Sequence, residues 1–362
     1  MIKFFFCLLV SFVLVWTNRL LAQTDNMLTF TDARELTLIG KVHANNPFFH
    51  RIDTAAFPDI PSVVKRLLTH SAGLALSFET TSSRIAVKWC TGPQGPGNNM
   101  TAIAQEGMDL YIKRDGIWQY AGVARPSHHD CNEFTMVQHL APGIKECLLY
   151  LPLYDETLSV EVGVDSGTRI SAKPNPFKKN ILIYGSSIVH GASASRPGLA
   201  YPARLSRQTG YNFINLGVSG SAKMEAAVAE MIASMPADAY ILDCVPNSSP
   251  EQVTERTANL VQTIRAKHPD APIIAIQSII REGGNFDSAI AHRVAMQNEN
   301  FLREINRLQR NDNLLYLITA ENLIGNDHEG TTDGTHPNDL GFDRMLQKIR
   351  PAVLEILDKH GI

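Results

Sequence analysis

From residue 181 onward, short apolar runs alternate with helix-length amphipathic stretches, and this alternation constrains the fold more than any other feature of the chain. The runs are Ile181-Leu182-Ile183-Tyr184, Phe213-Ile214-Asn215-Leu216, Tyr240-Ile241-Leu242-Asp243-Cys244, Pro272-Ile273-Ile274-Ala275-Ile276 and Leu314-Leu315-Tyr316-Leu317-Ile318. Helical patterns cover Tyr201 to Gln208, Ala222 to Ser234, Pro250 to about Lys267, Ser288 to Gln309 and Leu340 to about Leu357. Pro250 suits the first turn of its helix, where a missing N–H costs nothing. Strands apolar on both faces must be covered on both faces, and helical crossovers join parallel neighbours. The pattern therefore predicts an α/β unit with a parallel sheet between two helical layers. Sites in such sheets lie beyond the carboxyl ends of the strands.

The preceding half has a different texture. From about Leu36 to Ile170 the runs are short and alternate with period two, as in Ile85-Ala86-Val87-Lys88-Trp89 and Leu158-Ser159-Val160-Glu161-Val162-Gly163-Val164. The second of these places all its apolar residues on one face. Asp109-Leu110-Tyr111-Ile112, Ile117-Trp118-Gln119-Tyr120 and Cys147-Leu148-Leu149-Tyr150-Leu151 also read as strands, separated by turn-rich pieces such as residues 91–99. Many short strands with no helices between them predict a β-sandwich or jelly roll over residues 27–172. A Pro- and Lys-rich stretch from Ala172 to Lys179 reads as the linker to the α/β domain at 178–362.

The first residues read as an export signal. Lys3 precedes an apolar run from Phe4 to Trp16, a polar break follows, and Ala22 suits a cleavage site, which sets the signal peptide at residues 1–22. The run is short for a membrane span, so no stable membrane anchor is expected and the mature protein is expected to be secreted or periplasmic. Four cysteines then remain, and an exported chain can oxidise them. Cys131 and Cys147 flank an expected hairpin and are the candidate pair; buried free thiols are the other reading. A formal net charge of −3 with 19% charged residues gives no basic face for nucleic acid. No CxxC pattern is present, and the neighbours His128 and His129 would point to opposite faces of a strand, so no metal and no cofactor are expected.

Four blocks carry chemistry, and each lies after a strand of the second half. They are Gly185-Ser186-Ser187-Ile188-Val189-His190-Gly191, Asn215-Leu216-Gly217-Val218-Ser219-Gly220, Asp243-Cys244-Val245-Pro246-Asn247 and Asp333-Gly334-Thr335-His336-Pro337-Asn338. Ser187 stands where a strand gives way to a helix, and exposed backbone N–H groups there favour an alkoxide. A serine needs a base, and the base needs an orienting group; His336 and Asp333 supply both. Gly220 allows close approach of a backbone N–H, and Asn247 offers a side-chain N–H. Singly, each block reads as a cap, a turn or a loop histidine. Together, after successive strands, they read as a site with an oxyanion hole formed by Ser187, Gly220 and Asn247. His190 is read either as a lining residue of the cleft or as a solvated residue at a helix start. Trp89, Tyr111, Trp118 and Tyr120 are read as sandwich core, or alternatively as a sugar-binding face. Asn99-Met100-Thr101 is a glycosylation sequon.

The blocks resemble, in order and spacing, those of the SGNH (GDSL-type) hydrolase superfamily. Ser187 matches the family's nucleophile, Gly220 and Asn247 its oxyanion residues, and Asp333 and His336 its terminal D-x-x-H. Gly107-Met108-Asp109-Leu110-Tyr111 resembles the G-x-D-L-Y signature of a β-rich domain that precedes one branch of the family, and Leu151-Pro152-Leu153-Tyr154-Asp155 is also similar to that branch. Ser186 replaces the usual Asp or Thr before the nucleophile, and the third block reads D-C-x-P-N rather than G-x-N-D. The resemblance implies a flavodoxin-like SGNH hydrolase fold and a carboxylic ester hydrolase working through a Ser-His-Asp triad and an acyl-enzyme. Its two-domain carbohydrate esterases further imply removal of a short acyl group, acetyl foremost, from an acylated carbohydrate or other small ester. The alternatives are a lipase or general acyl esterase, and a non-catalytic glycan-binding protein. The GxSxG elbow of α/β-hydrolases is absent from the nucleophile block.

Overall fold

The structure is a computed structural model and describes residues 27–43, 47–93, 95, 97–127 and 130–362. The expected export signal and His128-His129 lie outside the described residues.

The first half forms two antiparallel sheets packed face to face. One has the order β1 (Leu28–Asp32), β9 (Thr157–Asp165), β4 (Ile85–Thr91), β7 (Cys131–Val137). The other runs β10 (Ile170–Ala172), β3 (Ala75–Thr80), β8 (Lys145–Tyr150), β5 (Met108–Arg114), β6 (Ile117–Ala124), with β2 (Thr37–Ile39) also pairing with β3. Period-two alternation sends Ile85, Val87 and Trp89 of β4 and Val160 and Val162 of β9 inward. They meet Leu76 and Phe78 of β3, Leu110 of β5 and Leu149 of β8. Leu158 departs from the expected face and is half exposed at the start of β9. Two short helices also interrupt the β texture, α1 (Ser62–Thr69) and α2 (Ala102–Gln105).

The disulfide is Cys90–Cys131, not the expected Cys131–Cys147. Cys90 and Cys131 face each other across β4 and β7 of one sheet. Cys147 lies on β8 of the other sheet, where it is a buried free thiol, as is Cys244.

The second half is the expected α/β unit. Its parallel sheet has the order β12 (Tyr211–Gly217), β11 (Lys178–Gly185), β13 (Ala239–Asp243), β14 (Ile273–Ile276), β15 (Leu315–Ile318). In chain order this is 2-1-3-4-5, the flavodoxin-like arrangement, and it reverses direction beside β11. The crossover helices are α3 (Ser187–His190), α4 (Tyr201–Thr209), α5 (Ala226–Ala233), α6 (Pro250–Lys267) and α7 (Ser288–Gln309), and α8 (Asp339–Lys359) follows β15. Pro250 does occupy the first turn of α6, behind a capping box of Ser249 and Gln252.

The two halves share their cores. Val64, Leu67 and Leu68 of α1 pack in one cluster with Leu182, Tyr184 and Leu216 of the parallel sheet. Ala72, Ala104 and Leu153 join Ile183 and Val189 on its other face. Gly73 has φ +82°, and a Cβ there would stand 2.6 Å from the Asn215 side chain, so only glycine lets this strap pass so close. Arg51, fully buried, closes the seam. Its Nε donates to His70 O at 3.0 Å, its Nη1 to Gly217 O at 2.7 Å and Asn215 O at 3.2 Å, and its Nη2 to Leu67 O. Burial lowers its pKa to about 9, which still leaves a cation at neutral pH.

Candidate active site

β11 ends at Gly185, and the chain turns at once into the short helix α3. Ser186 caps it: its hydroxyl accepts from Ile188 N–H at 3.2 Å while its own N–H donates to Asp243 O at 3.1 Å. A hydroxyl performs the capping as an Asp or Thr would, which accounts for serine at this position. Ser187 is the first residue of the helix, and its Oγ lies 2.8 Å from Nε2 of His336.

His336 comes from the loop between β15 and α8. Its Nδ1 is 2.7 Å from Asp333 Oδ2. Asp333 also accepts, through Oδ1, from Thr335 N–H at 3.0 Å and His336 N–H at 2.8 Å. Partial burial works against the charged carboxyl, but these donors, Asn99 and the imidazole outweigh it and lower its pKa to about 2. An ionised carboxylate only accepts, so Nδ1 carries the proton and Nε2 is free to accept from the Ser187 hydroxyl.

Asn99 completes this chain from the β half. Its Nδ2 donates to Asp333 Oδ2 at 3.0 Å and lies 3.2 Å from His336 Nδ1. Ser193 Oγ donates to Asn99 O at 2.8 Å, and Thr101 Oγ1 to Ser195 O at 2.6 Å, fastening the Asn99 loop to the α/β half. The amide of the sequon is thus engaged within the site. Sequence reading gave Asn99 no role there.

In front of Ser187 lies a cavity of about 300 Å³, whose lining includes Ser187, Gly220, Asn247 and His336. Gly220 has φ +69°, and its Cβ direction is open space. Asn247 Oδ1 accepts from Ala222 N–H at 3.2 Å, which fixes the amide and leaves its N–H₂ as a donor. The structure therefore brings together all five residues singled out in the sequence. Each sits beyond the carboxyl end of its strand, around the point where strand order reverses. Among the described residues, no three or more His, Cys, Asp or Glu are arranged to hold a metal ion, and no helix is long and apolar enough to cross a membrane.

Residues 178–354 match the GDSL-like lipase/acylhydrolase family, and residues 28–170 match the N-terminal domain of SGNH hydrolase-type esterases. A solved structure from Bacteroides ovatus, described as a GDSL-like lipase, is 54% identical, covers 92% of this chain and 98% of its own, and superposes with a TM-score of 0.90. The chain belongs to the GDSL-like lipase/acylhydrolase family. More distant structures share the fold of this GDSL hydrolase. The salicylyl-acyltransferase SsfX3 of a tetracycline biosynthetic pathway is 21% identical, with TM-score 0.71 over 91% of this chain and 98% of its own. An acetyl xylan esterase of Butyrivibrio proteoclasticus is 12% identical, with TM-score 0.59 over 92% of this chain and 99% of its own. No curated protein matches the sequence.

In this GDSL hydrolase the signature residues of the β half act as a latch between the halves. Asp109, fully buried, accepts from Gly198 N–H at 2.8 Å through Oδ1 and forms an ion pair with Arg196 Nε, 3.0 Å from Oδ2. Burial raises its pKa to about 6, although Arg207 and Arg196 pull it down. Tyr111 lies under the Arg207 guanidinium, 3.8 Å from its ring centre. Tyr154 of the second similar stretch stacks on His190 at 4.1 Å, and its hydroxyl reaches Ser187 O and Ser219 Oγ, each at 3.4 Å.

The reading of His190 is corrected. His190 is neither cleft-lining nor solvated; it is fully buried, with Nε2 2.7 Å from Leu153 O. Desolvation, reinforced by the buried Arg51 and His70, pushes its pKa well below the ordinary value, so it is neutral. The expected core position of the aromatic residues of the β half holds for Trp89 and Tyr111, with Trp118 packed against the cluster that contains Tyr111, and fails for Tyr120. Trp89 and Tyr111 are buried, whereas Tyr120 is half exposed beneath Arg196.

Proposed function

We propose that this chain is an exported serine esterase that removes a short acyl group, acetyl foremost, from a carbohydrate. The observation that carries the reaction type is the unbroken relay from Asp333 through His336 to Ser187 Oγ, with contacts of 2.7 and 2.8 Å, opening on a cavity edged by Gly220 and Asn247. His336 takes the hydroxyl proton as Ser187 Oγ attacks the ester carbonyl. The carbonyl oxygen becomes an oxyanion and receives hydrogen bonds from Ser187 N–H, Gly220 N–H and Asn247 Nδ2. Asp333 stabilises the imidazolium, which passes its proton to the leaving alcohol. Water, deprotonated by His336, attacks the acyl-enzyme; the carboxylic acid leaves and Ser187 recovers its proton.

A cavity of about 300 Å³ is at the small end of ligand sites, which supports a short acyl group over a long one. The acetyl xylan esterase among the proteins of this fold makes acetylated sugars the class to test first. The Cys90–Cys131 disulfide supports export, because such bonds persist in oxidising compartments. The lipase reading draws on the 54% identical structure described as a GDSL-like lipase. Hydrolysis of 4-nitrophenyl esters from acetate to decanoate separates the two readings. Activity falling steeply beyond butyrate and lost in Ser187→Ala supports the proposal; activity rising with chain length favours the lipase. Equal rates for wild type and Ser187→Ala refute the role of Ser187.

A further inference from the structure

The cavity in front of Ser187 is lined on one side by Arg281, from the loop that follows β14. One N–H, on Nη2, donates to Pro246 O at 2.7 Å, next to the oxyanion residue Asn247. Nε and Nη1 have no partner among the described residues, although Arg281 is only partly exposed and burial lowers its pKa. A partly buried guanidinium is ordinarily paired with a carboxylate. Here the strongest charged neighbour is Arg293, a second cation.

The nearby acids are committed elsewhere. The Glu282 carboxylate receives Gly330 N–H, Thr331 N–H and the Thr331 hydroxyl. Asp333 faces His336 and Asn99. Asp287 caps α7 through Ala289 and Ile290 N–H. The guanidinium is held at one corner, lines the cavity, and forms no ion pair with a carboxylate among the described residues.

We propose that Arg281 receives a carboxylate of the substrate, so that the ester cleaved at Ser187 belongs to an acidic molecule, with the carboxylate either on the sugar ring or on the acyl group. This rests on the esterase reading above. A planar guanidinium pairs with a carboxylate through two parallel N–H donors, which fixes the ester's distance and orientation relative to Ser187 as well as adding affinity. A neutral substrate would instead have to leave this cation desolvated and unpaired, so the site discriminates by penalty as well as by attraction.

The test uses two matched pairs of esters with the full chain. One pair is a mono-O-acetylated methyl glucuronoside and its carboxamide, which places the acid on the sugar. The other is monomethyl succinate and methyl butyrate, which places it on the acyl group. The readout is the ratio of kcat/KM for the acid over its neutral partner, in which general damage to the site cancels. Wild type should favour the acid about 10- to 100-fold in one pair, the worth of a charge-assisted contact, and that pair identifies where the carboxylate sits. Arg281→Gln should bring that ratio to about one, and Arg281→Lys should restore part of it. Ratios near one in both wild-type pairs, or a preference that survives in Arg281→Gln, would overturn the proposal. 4-Nitrophenyl acetate serves as the control: its hydrolysis alongside flat ratios sinks the carboxylate site alone, whereas its inertness sinks the esterase reading itself.

Discussion

Replacing Asn99 with alanine removes one donor from a carboxylate that otherwise accepts three, and the structure sets the size of the effect. Asp333 keeps Thr335 N–H, His336 N–H and the imidazole Nδ1–H, so it stays in place and remains an anion. What is lost is a single charge-assisted hydrogen bond at a site about one-third exposed, for which about 1–2 kcal/mol is appropriate. Asn99 does not line the cavity before Ser187, so the loss should fall on the imidazolium-bearing transition state rather than on substrate binding. We expect kcat for 4-nitrophenyl acetate to fall about 5- to 30-fold with KM nearly unchanged. The pH profile gives a second readout. A carboxyl held at about 2 contributes stability that is present above its unfolded value and lost as pH falls through about 2. Removing a donor raises that value, so acid inactivation should begin at higher pH in Asn99→Ala. Urea unfolding at neutral pH should show a loss of stability of up to about the same 1–2 kcal/mol, because the donor's support of the carboxylate is fully present there. An unchanged kcat in a folded variant would refute the positioning role, and a rise in KM alone would reassign Asn99 to substrate binding.

Asn247→Ala should lose about 3–4 kcal/mol of transition-state stabilisation, a fall of several hundred-fold in kcat on the same ester, with thermal stability close to wild type. Gly217→Ala and Gly220→Ala should separate packing from catalysis. A Cβ on Gly217 would meet His190 N at 2.1 Å and cost about 3 kcal/mol of stability by denaturant melts. Gly220→Ala meets no atom but must hold alanine at φ +69°, a cost of about 1–2 kcal/mol that the turn can relieve by shifting the oxyanion N–H, so this variant should lose less stability and proportionally more rate. Reducing Cys90–Cys131, which closes a loop with a sequence separation of 41, should lower stability by about 4 kcal/mol, read as a shift of the urea midpoint between oxidised protein and Cys90→Ala/Cys131→Ala.

The parts of this molecule that were legible in sequence are those whose signal is local. An apolar run bounded by a Gly- or Ser-rich turn announces a strand and its carboxyl end at once, so Ser187, Gly220 and Asn247 could be placed without knowledge of the fold. Asp333 and His336 lie within one turn of each other and announced themselves as a pair. What escaped depends on contacts between distant strands. Asn99 reaches Asp333 across 234 residues from a Gly- and Pro-rich loop with no pattern of its own. Cys90 pairs with Cys131 because β4 and β7 happen to be neighbours in register, which hairpin proximity could not reveal. His190 sits in the nucleophile block, yet the β half buries it. Arg281 is a different case. It follows β14 as the other blocks follow their strands, and applying the same positional rule to Ser278-Ile279-Ile280-Arg281 would have found it.

The β half supplies none of the residues that line the cavity, yet four of its side chains brace the framework around it. Arg51 ties the backbone of Asn215 and Gly217, whose strand leads into Gly220. Asn99 braces Asp333, and Tyr154 touches the Ser187 carbonyl from behind. Asp109 holds the Arg196–Gly198 loop that follows α3. These contacts come from four separate segments, and three of the four side chains are largely or fully buried, so they form part of one packed interior rather than a docked surface. A sandwich that only delivered a glycan to the enzyme would need no charged side chain running through the seam to the strand ends. The arrangement instead makes the geometry of the triad and of the Gly220 turn depend on the sandwich being in place. On this reasoning the G-x-D-L-Y stretch acts as a fastening for the catalytic half, and its aspartate is buried because it faces that half rather than solvent.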